Sequence, residues 1–233
     1  MSVVIEPLYD KEKTCLLCQN SFNTKRLRSR FIRTKHVQSD FCTEYKDPTL
    51  NPMFYEVDVC PNCGFAFTEA FSSTFPPETM ETIKTKLKNW KFQDFGQERT
   101  VEQVIRVYKL AILTANLKKE KHVIIAGLCL RLAWLYRFWN DEEQEQRFLT
   151  GALEKYNASF RSGDFKDMNM SELKLLYLLG ELSRRVGRVE DAIQYFSRVV
   201  QHKNRHTEPK IVEMAREQWY EIRNGQEEVP IPN

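Results

Sequence analysis

The stretch LLYLLGELSRRVGRVEDAIQYFSRVVQHKN, residues 175–204, decides the fold of most of this 233-residue chain. Apolar residues recur at three- and four-residue intervals on both sides of Gly187, which predicts two amphipathic helices joined by a short turn. The small residues Gly180 and Ala192 would let these helices approach closely, and Phe196 would fill the space beside them. The pattern is typical of a tetratricopeptide-like helix pair, which buries its apolar face by stacking on neighbouring pairs.

The same helical periodicity begins near Pro76-Pro77 and continues almost to the end of the chain. Thr100 and Gln103 form a capping-box pattern, which predicts the start of a helix. Asn140 is the expected cap of a later one, and Glu145 departs from the repeat pattern because Ala would be expected at its position. The predicted helices are 78–90, 100–115, 122–139, 141–160, 171–185, 189–202 and 208–223.

Before Pro76 the sequence predicts short strands, over 26–32 and 55–59, separated by a long loop rich in turn residues. The fold class expected for the whole chain is therefore mainly α. A small N-terminal zinc-ribbon-like β lobe (1–75) precedes a tetratricopeptide-like array of about seven helices (76–226), and a short tail (227–233) follows.

The strongest chemical signal is a pair of CxxC motifs, Cys15-Leu-Leu-Cys18 and Cys60-Pro-Asn-Cys63. A two-residue spacer lets a tight turn aim two sulfur atoms inward, and two such turns supply the four thiolates that a tetrahedral zinc ion prefers. Gly64 is placed to adopt a positive φ after the second turn, and Asn20 is the expected residue for that role after the first. Four thiolates leave no open position, so we expect one structural Zn²⁺ and no catalytic metal.

Two cysteines lie outside these motifs. Cys129 stands in an apolar helical stretch and is expected to be a plain core residue. Three interpretations of Cys42 remain open, namely a buried loop thiol, an alternative metal ligand and a reactive thiol.

A basic segment with no acidic residue runs from 19 to 39. One interpretation is a solvated strand face. The other is a phosphate-binding row, in which alternating arginines of the strand line up with a nucleic-acid backbone. The nucleic-acid interpretation rests on Arg26, Arg28, Arg30 and Arg33.

Several classes of function are disfavoured by what the sequence lacks. Its longest apolar run, 123–130, is far shorter than the roughly 20 residues of a membrane-spanning helix, and the N-terminus does not resemble a secretory signal, so we expect a cytoplasmic protein without membrane contact. No nucleophile, phosphate-binding or dinucleotide-binding motif is found, so we expect no enzymatic activity.

The segments CLLC (15–18), NPMFYEVDVCPNCGFAF (51–67), LAWLYR (132–137) and LLYLLGELSRRVGR (175–188) together resemble an uncharacterised bacterial family, domain of unknown function 2225, found largely in Gram-positive bacteria. The resemblance covers nearly the whole chain. It implies a zinc-ribbon-like head and a tetratricopeptide-like tail, and it implies no established activity and no role for Cys42.

Three functions therefore remain in competition. The first is a non-enzymatic adaptor that holds a protein or peptide partner in a groove between stacked helices. The second is an RNA- or DNA-binding protein that uses the basic zinc-ribbon head, and the third is a zinc- or redox-responsive regulator. The sequence leaves the partner's identity and the oligomeric state undetermined.

Overall fold

The computed structural model describes residues 5–227, which form two compact units. Within this range the first unit comprises residues 5–38 and 42–120, and the second comprises 39–41 and 121–227. The domain boundary predicted between 75 and 76 stays a prediction. Beyond Glu227 the predicted tail lies outside the described residues. No helix in the described range is both long and apolar enough to cross a membrane.

The mainly α fold class is confirmed, with a small strand region before the helices. The described helices are α1 (Thr79–Leu87), α2 (Val101–Lys118), α3 (His122–Phe138), α4 (Glu142–Ser162), α5 (Glu172–Arg185), α6 (Val189–Val200) and α7 (Pro209–Glu227). The strands are β1 (Leu8–Thr14), β2 (Ser21–Leu27), β3 (Thr34–Val37), β4 (Thr43–Tyr45), β5 (Asp58–Val59) and β6 (Ala66–Phe67). They pair consecutively as three antiparallel hairpins, β1–β2, β3–β4 and β5–β6.

Both predicted strands overlap the observed strands only in part. The strand expected over 26–32 ends at Leu27, because the Arg28 N–H still donates to the Pro7 carbonyl at 2.9 Å but Pro7 has no N–H to donate back. The chain instead closes local 3-10 hydrogen bonds over Ser29–Phe31. The strand expected over 55–59 is reduced to β5, because Pro52–Tyr55 forms a 3-10 turn that the Asn51 side chain caps.

Helix α2 packs against the strand region of the first unit. Its N-terminus carries the predicted capping box of Thr100 and Gln103. The buried Tyr108 hydroxyl donates to the carbonyl of Met53 at 3.1 Å. At the far end, buried Lys118 forms an ion pair with Glu120. These contacts satisfy buried polar groups that would otherwise destabilise the unit.

The second unit is built from α3 to α7, in which each helix packs on the next one in sequence. The predicted close approach of α5 and α6 is confirmed, since a Cβ atom at Gly180 would lie 2.7 Å from a ring atom of Phe196. Ala192 is fully buried, and Gly187 turns the chain with a φ of +78°. Phe196 joins a core cluster shared by α5, α6 and α7.

The first helix pair of this unit explains the unexpected Glu145. Its carboxylate accepts a 2.7 Å hydrogen bond from Nε of Arg137, on the preceding helix. The acid therefore balances a charge that interrupts the apolar helix α3. The predicted cap of α4 was off by one residue, because the Asp141 side chain accepts from the N–H of Gln144, whereas Asn140 adopts a positive φ of 56°.

Candidate metal centre

The first CxxC motif forms the turn of the β1–β2 hairpin. The Cys15 N–H donates to the carbonyl of Asn20 at 2.9 Å, and the Gln19 N–H donates back to the carbonyl of Cys15 at 3.1 Å. Gln19 adopts a left-handed φ of 60°, which completes the reversal. The N–H of Leu17 lies 3.4 Å from the Cys15 Sγ, so the backbone of the turn faces a sulfur atom.

The second CxxC motif repeats this turn between β5 and β6. The Cys60 N–H donates to the carbonyl of Phe65 at 3.0 Å, and the Gly64 N–H donates to the carbonyl of Cys60 at 2.9 Å. Gly64 has a φ of 73°, as its position after the motif predicted. The two turns are therefore equivalent residue by residue, which is how two short hairpins present four cysteines to one point.

The four sulfur atoms converge. Cys15 Sγ lies 3.6 Å from Cys63 Sγ, and Cys18 Sγ lies 3.6 Å from Cys60 Sγ. All four sulfurs are within 4.8 Å of one another. A tetrahedron with metal–sulfur bonds of about 2.3 Å has edges of about 3.8 Å, so the spacing suits a single ion. It is far longer than the roughly 2.05 Å of a disulfide bond. Among the described residues, this is the one cluster of His, Cys, Asp or Glu side chains able to share a metal.

The charge of the tetrad also favours a cation. The proximity of Cys15 lowers the pKa of the Cys60 thiol, and Cys60 in turn raises the pKa of the Cys15 thiol. Hydrogen bonding to Cys15 holds the pKa of Cys63 above its ordinary value as well. Four thiolates this close repel one another, whereas a divalent cation at their centre lets all of them ionise.

The site is sheltered on one side. Cys15 and Cys60 are buried, Cys63 is partly buried and Cys18 is exposed. The Asn62 side-chain amide lies 3.9 Å from the Cys18 sulfur and provides a polar neighbour at the exposed edge. A bound ion would therefore be held by the fold and still be reachable by a strong chelator or an oxidant.

Trp90 is a supporting residue of the second cysteine turn. Its indole N–H donates to the carbonyl of Pro61 at 2.9 Å, and its ring lies directly over Gly64. A Cβ atom at Gly64 would come within 2.3 Å of the ring. A glycine is therefore required at position 64 for two reasons: the backbone there is left-handed, and the Trp90 ring leaves no room for a Cβ atom. In the sequence, only Gly64 after the second CxxC motif indicated that another group packs closely against the turn. The spacing of the cysteines does not identify that group as Trp90.

Comparison with known protein families gives one match. A family described as an uncharacterized protein conserved in bacteria, DUF2225, matches residues 8–222. The chain belongs to this family. No curated protein and no solved structure matches the chain.

The structure of the DUF2225 chain differs from two interpretations of its sequence that concern the cysteines. The left-handed residue after the first motif is Gln19, directly after Cys18, and not Asn20. Gly64 holds the equivalent position of the second turn, directly after Cys63. Cys42 is buried, but it is not a member of the four-sulfur cluster, so the interpretation as an alternative ligand is wrong for this arrangement.

The predicted row of arginines does not form along one strand. Arg26 lies in β2 and contacts both carboxylate oxygens of the buried Asp58 at 2.7 Å. Arg28 donates to the carbonyl of Glu6 at 3.2 Å. Arg30 and Arg33 lie after the end of β2, where the alternation has been lost, and both are exposed. Nucleic-acid binding by these residues of the DUF2225 chain stays a prediction.

Proposed function

We propose that this DUF2225 protein is a non-enzymatic adaptor whose N-terminal lobe is held together by one structural Zn²⁺ and whose helices bind a protein or peptide partner. The convergence of the Cys15, Cys18, Cys60 and Cys63 sulfurs carries the metal part of the proposal. Zinc and iron are the metals that suit four tetrahedral thiolates, and zinc needs no redox partner in such a site.

The metal is proposed to be structural because four sulfur ligands fill its coordination sphere and leave no position for a substrate. The architecture around it favours the same role. β5 and β6 contain two residues each, and β1 and β2 form an isolated two-stranded sheet. Sheets this small are marginally stable, so a metal that joins two hairpins supplies what their few ladder bonds do not.

Metal analysis of the purified chain tests this part. We expect one zinc per chain, no bound iron, and loss of the zinc when Cys60 is replaced by Ser. Cys129→Ser is the matched control, because Cys129 is a buried cysteine of α3 outside the cluster and its replacement should leave the zinc content unchanged. Equal zinc content in the two variants would contradict the proposal.

The adaptor part rests on the stacking of consecutive helices from α3 to α7. Arrays of helix pairs are typical of proteins that recognise peptides or partner proteins. The test is affinity purification of the tagged, zinc-loaded chain from its own bacterium, followed by quantification of protein and nucleic acid in the eluate. A partner protein in about 1:1 ratio supports an adaptor. An eluate with no stoichiometric protein would refute it.

Nucleic-acid binding is a second proposal, favoured by the exposure of Arg30 and Arg33 in a basic segment. We expect any such binding to weaken steeply as salt rises, because released counterions drive it. Arg30→Ser/Arg33→Ser should abolish it and leave the zinc in place. Arg26→Ser is a poor test, since it also removes the closer ion-pair partner of the buried Asp58 and leaves Lys13 at 3.8 Å.

Redox regulation is a third proposal, favoured by the exposed Cys18 sulfur. Hydrogen peroxide would oxidise two thiolates to a disulfide, and the two electrons they give up would reduce the peroxide to water. The oxidised cysteines would then release the metal. Measurement of released zinc with a metal-sensitive dye tests this idea. Peroxide treatment that leaves the zinc bound would remove it.

A further inference from the structure

The segment Ser39–Phe41 belongs to the second unit, although its neighbours in sequence, Gln38 and Cys42, belong to the first. It contains no helix or strand, and every residue in it contacts side chains of α3 or α5. It forms the tip of the β3–β4 hairpin, and all three of its residues are held by the helical surface.

Asp40 is the anchor of this segment, and its side chain is fully buried. One carboxylate oxygen accepts 2.7 Å and 2.9 Å hydrogen bonds from Arg137 Nη2 and from the indole N–H of Trp134. The other oxygen accepts from Arg137 Nη1 at 3.3 Å, and Arg185 Nε lies 3.5 Å from the first oxygen. A planar guanidinium that meets both carboxylate oxygens recognises an acid with defined geometry.

The residues on either side of Asp40 are also recognised. The Ser39 hydroxyl donates to Glu181 at 2.7 Å, and the Ser39 carbonyl accepts from the Tyr177 hydroxyl at 2.8 Å. The Phe41 ring packs on the Tyr177 ring, with 5.4 Å between the centroids. The ammonium of Lys174 lies 5.0 Å from the centre of the Phe41 ring. Helices α3 and α5 therefore contact the Ser39 backbone, the Asp40 carboxylate and the Phe41 ring.

The helices arrange the charges of this site independently of the segment. Glu145 binds Arg137, and Glu181 binds Arg184 and Arg185. Asp40 adds a third carboxylate beside the guanidiniums of Arg137, Arg184 and Arg185. A site lined by guanidiniums favours an acidic occupant and disfavours a neutral one.

Phe41 adopts a left-handed φ of 67°, which is uncommon for a bulky residue and costs on the order of 1 kcal/mol. The contacts of the segment must offset this strain. The chain's own segment is therefore a strained occupant, and a segment that presents the same side chains without a left-handed aromatic residue would fit the site with less strain.

We propose that this surface of α3 and α5 is a recognition site for a partner protein segment in which an acidic residue is followed by an aromatic one. Residues 39–41 are the chain's own occupant, and the partner segment binds by replacing them. This inference rests on the adaptor function proposed above and specifies which side chains the partner segment presents.

The test uses the full zinc-loaded chain and a fluorescent peptide of residues 36–45 that carries Cys42→Ser. Asp40→Ala/Phe41→Ala weakens the internal occupant, so we expect the peptide to bind this variant more tightly than the wild type, in which it competes with a tethered segment. Val37→Ala is the matched control, because this exposed side chain lies close in sequence and should leave binding at the wild-type level. If circular dichroism shows that the double variant is unfolded, Phe41→Ala alone replaces it.

Specificity is tested with two further changes. A peptide with Asp40→Asn should not bind, and Arg137→Gln in the double variant should weaken binding by about 30-fold or more, as expected for loss of a buried charge partner. Binding that is insensitive to either change, or no binding to any folded variant, would overturn the inference. A wild-type chain that forms dimers through this segment would also overturn it, because the occupant would then be a second copy. Failure of the peptide while affinity purification still recovers a stoichiometric protein would leave the adaptor function standing.

Discussion

Gly64→Ala is the substitution that probes the metal centre most sharply without touching a ligand. Gly64 follows the last cysteine of the second turn, has a φ of 73° and lies beneath the indole ring of Trp90. An alanine there must accept an unfavourable backbone conformation and must also push the ring away, because its Cβ would lie 2.3 Å from Trp90 Cδ2.

The magnitude follows from these two effects. The left-handed conformation costs about 1 kcal/mol for a residue with a Cβ. Forcing an extra methyl group into a packed site costs a further 1–3 kcal/mol or so. If the ring moves, the hydrogen bond from Trp90 to the Pro61 carbonyl is lost as well, at a cost of about 1 kcal/mol. We therefore expect a loss of roughly 3–5 kcal/mol from the free energy of unfolding of the first unit.

Gly163→Ala is the matched control. Gly163 has a φ of 77°, but a Cβ atom there would meet nothing within 4 Å, so only the backbone cost of about 1 kcal/mol applies. Urea unfolding followed by Trp fluorescence measures the stability of both variants. Competition with a zinc-binding dye measures how easily each one gives up its metal.

The expected result is that Gly64→Ala unfolds at lower urea and releases zinc faster than both the wild type and Gly163→Ala. Equal destabilisation by the two substitutions, with unchanged zinc release, would contradict this expectation. It would mean that the close approach of Trp90 to the turn contributes nothing to the metal centre.

Three further predictions concern the metal and the second unit. Removal of the metal with a strong chelator should disorder the cysteine hairpins and leave most of the helical circular dichroism signal, and a complete loss of that signal would argue against two separate units. Asp40→Asn should lower the free energy of unfolding by about 3 kcal/mol, because it removes the charge of the buried carboxylate that Arg137 contacts at 2.7 Å, whereas Lys84→Ala, which breaks an exposed pair, should change it by less than about 0.5 kcal/mol in the same urea titration. Burial raises the pKa of Cys129 from 9.0 to about 11, so the folded chain keeps a proton that the unfolded chain loses. The free energy of unfolding should therefore fall as pH rises from about 9 to 11, by at most about 1.4 kcal/mol per pH unit, and Cys129→Ala should flatten that slope.

The helices and the cysteine cluster were predictable because each leaves a local signature. The i,i+3,i+4 periodicity and the capping box at Thr100 fixed the start of α2, and the small Gly180 predicted the packing of Phe196. The two CxxC motifs predicted a shared site because two-residue spacing has few other uses. These features depend on neighbours in sequence, which a single sequence displays.

What could not be predicted depends on partners far apart in sequence. β2 ends at Leu27 because the residue opposite Arg28 is Pro7, which has no N–H to donate, and nothing near residue 27 indicates this. One interpretation placed Arg26 in a phosphate-binding row, but its partner is Asp58, thirty-two positions away. Ser39–Phe41 belongs to the helical unit because Arg137 and Tyr177 hold it, although the sequence around it suggested only a loop. The ion-pair partner of a buried charge is determined by the folded structure, and residue spacing in the sequence does not identify that partner.

Binding of one zinc ion by four sulfur atoms is best measured by X-ray absorption spectroscopy at the zinc edge. We expect one zinc per chain with four sulfur neighbours at about 2.3 Å and no nitrogen or oxygen in the first coordination sphere. A coordination sphere with three or fewer sulfurs, or a folded chain that contains no zinc, would contradict it.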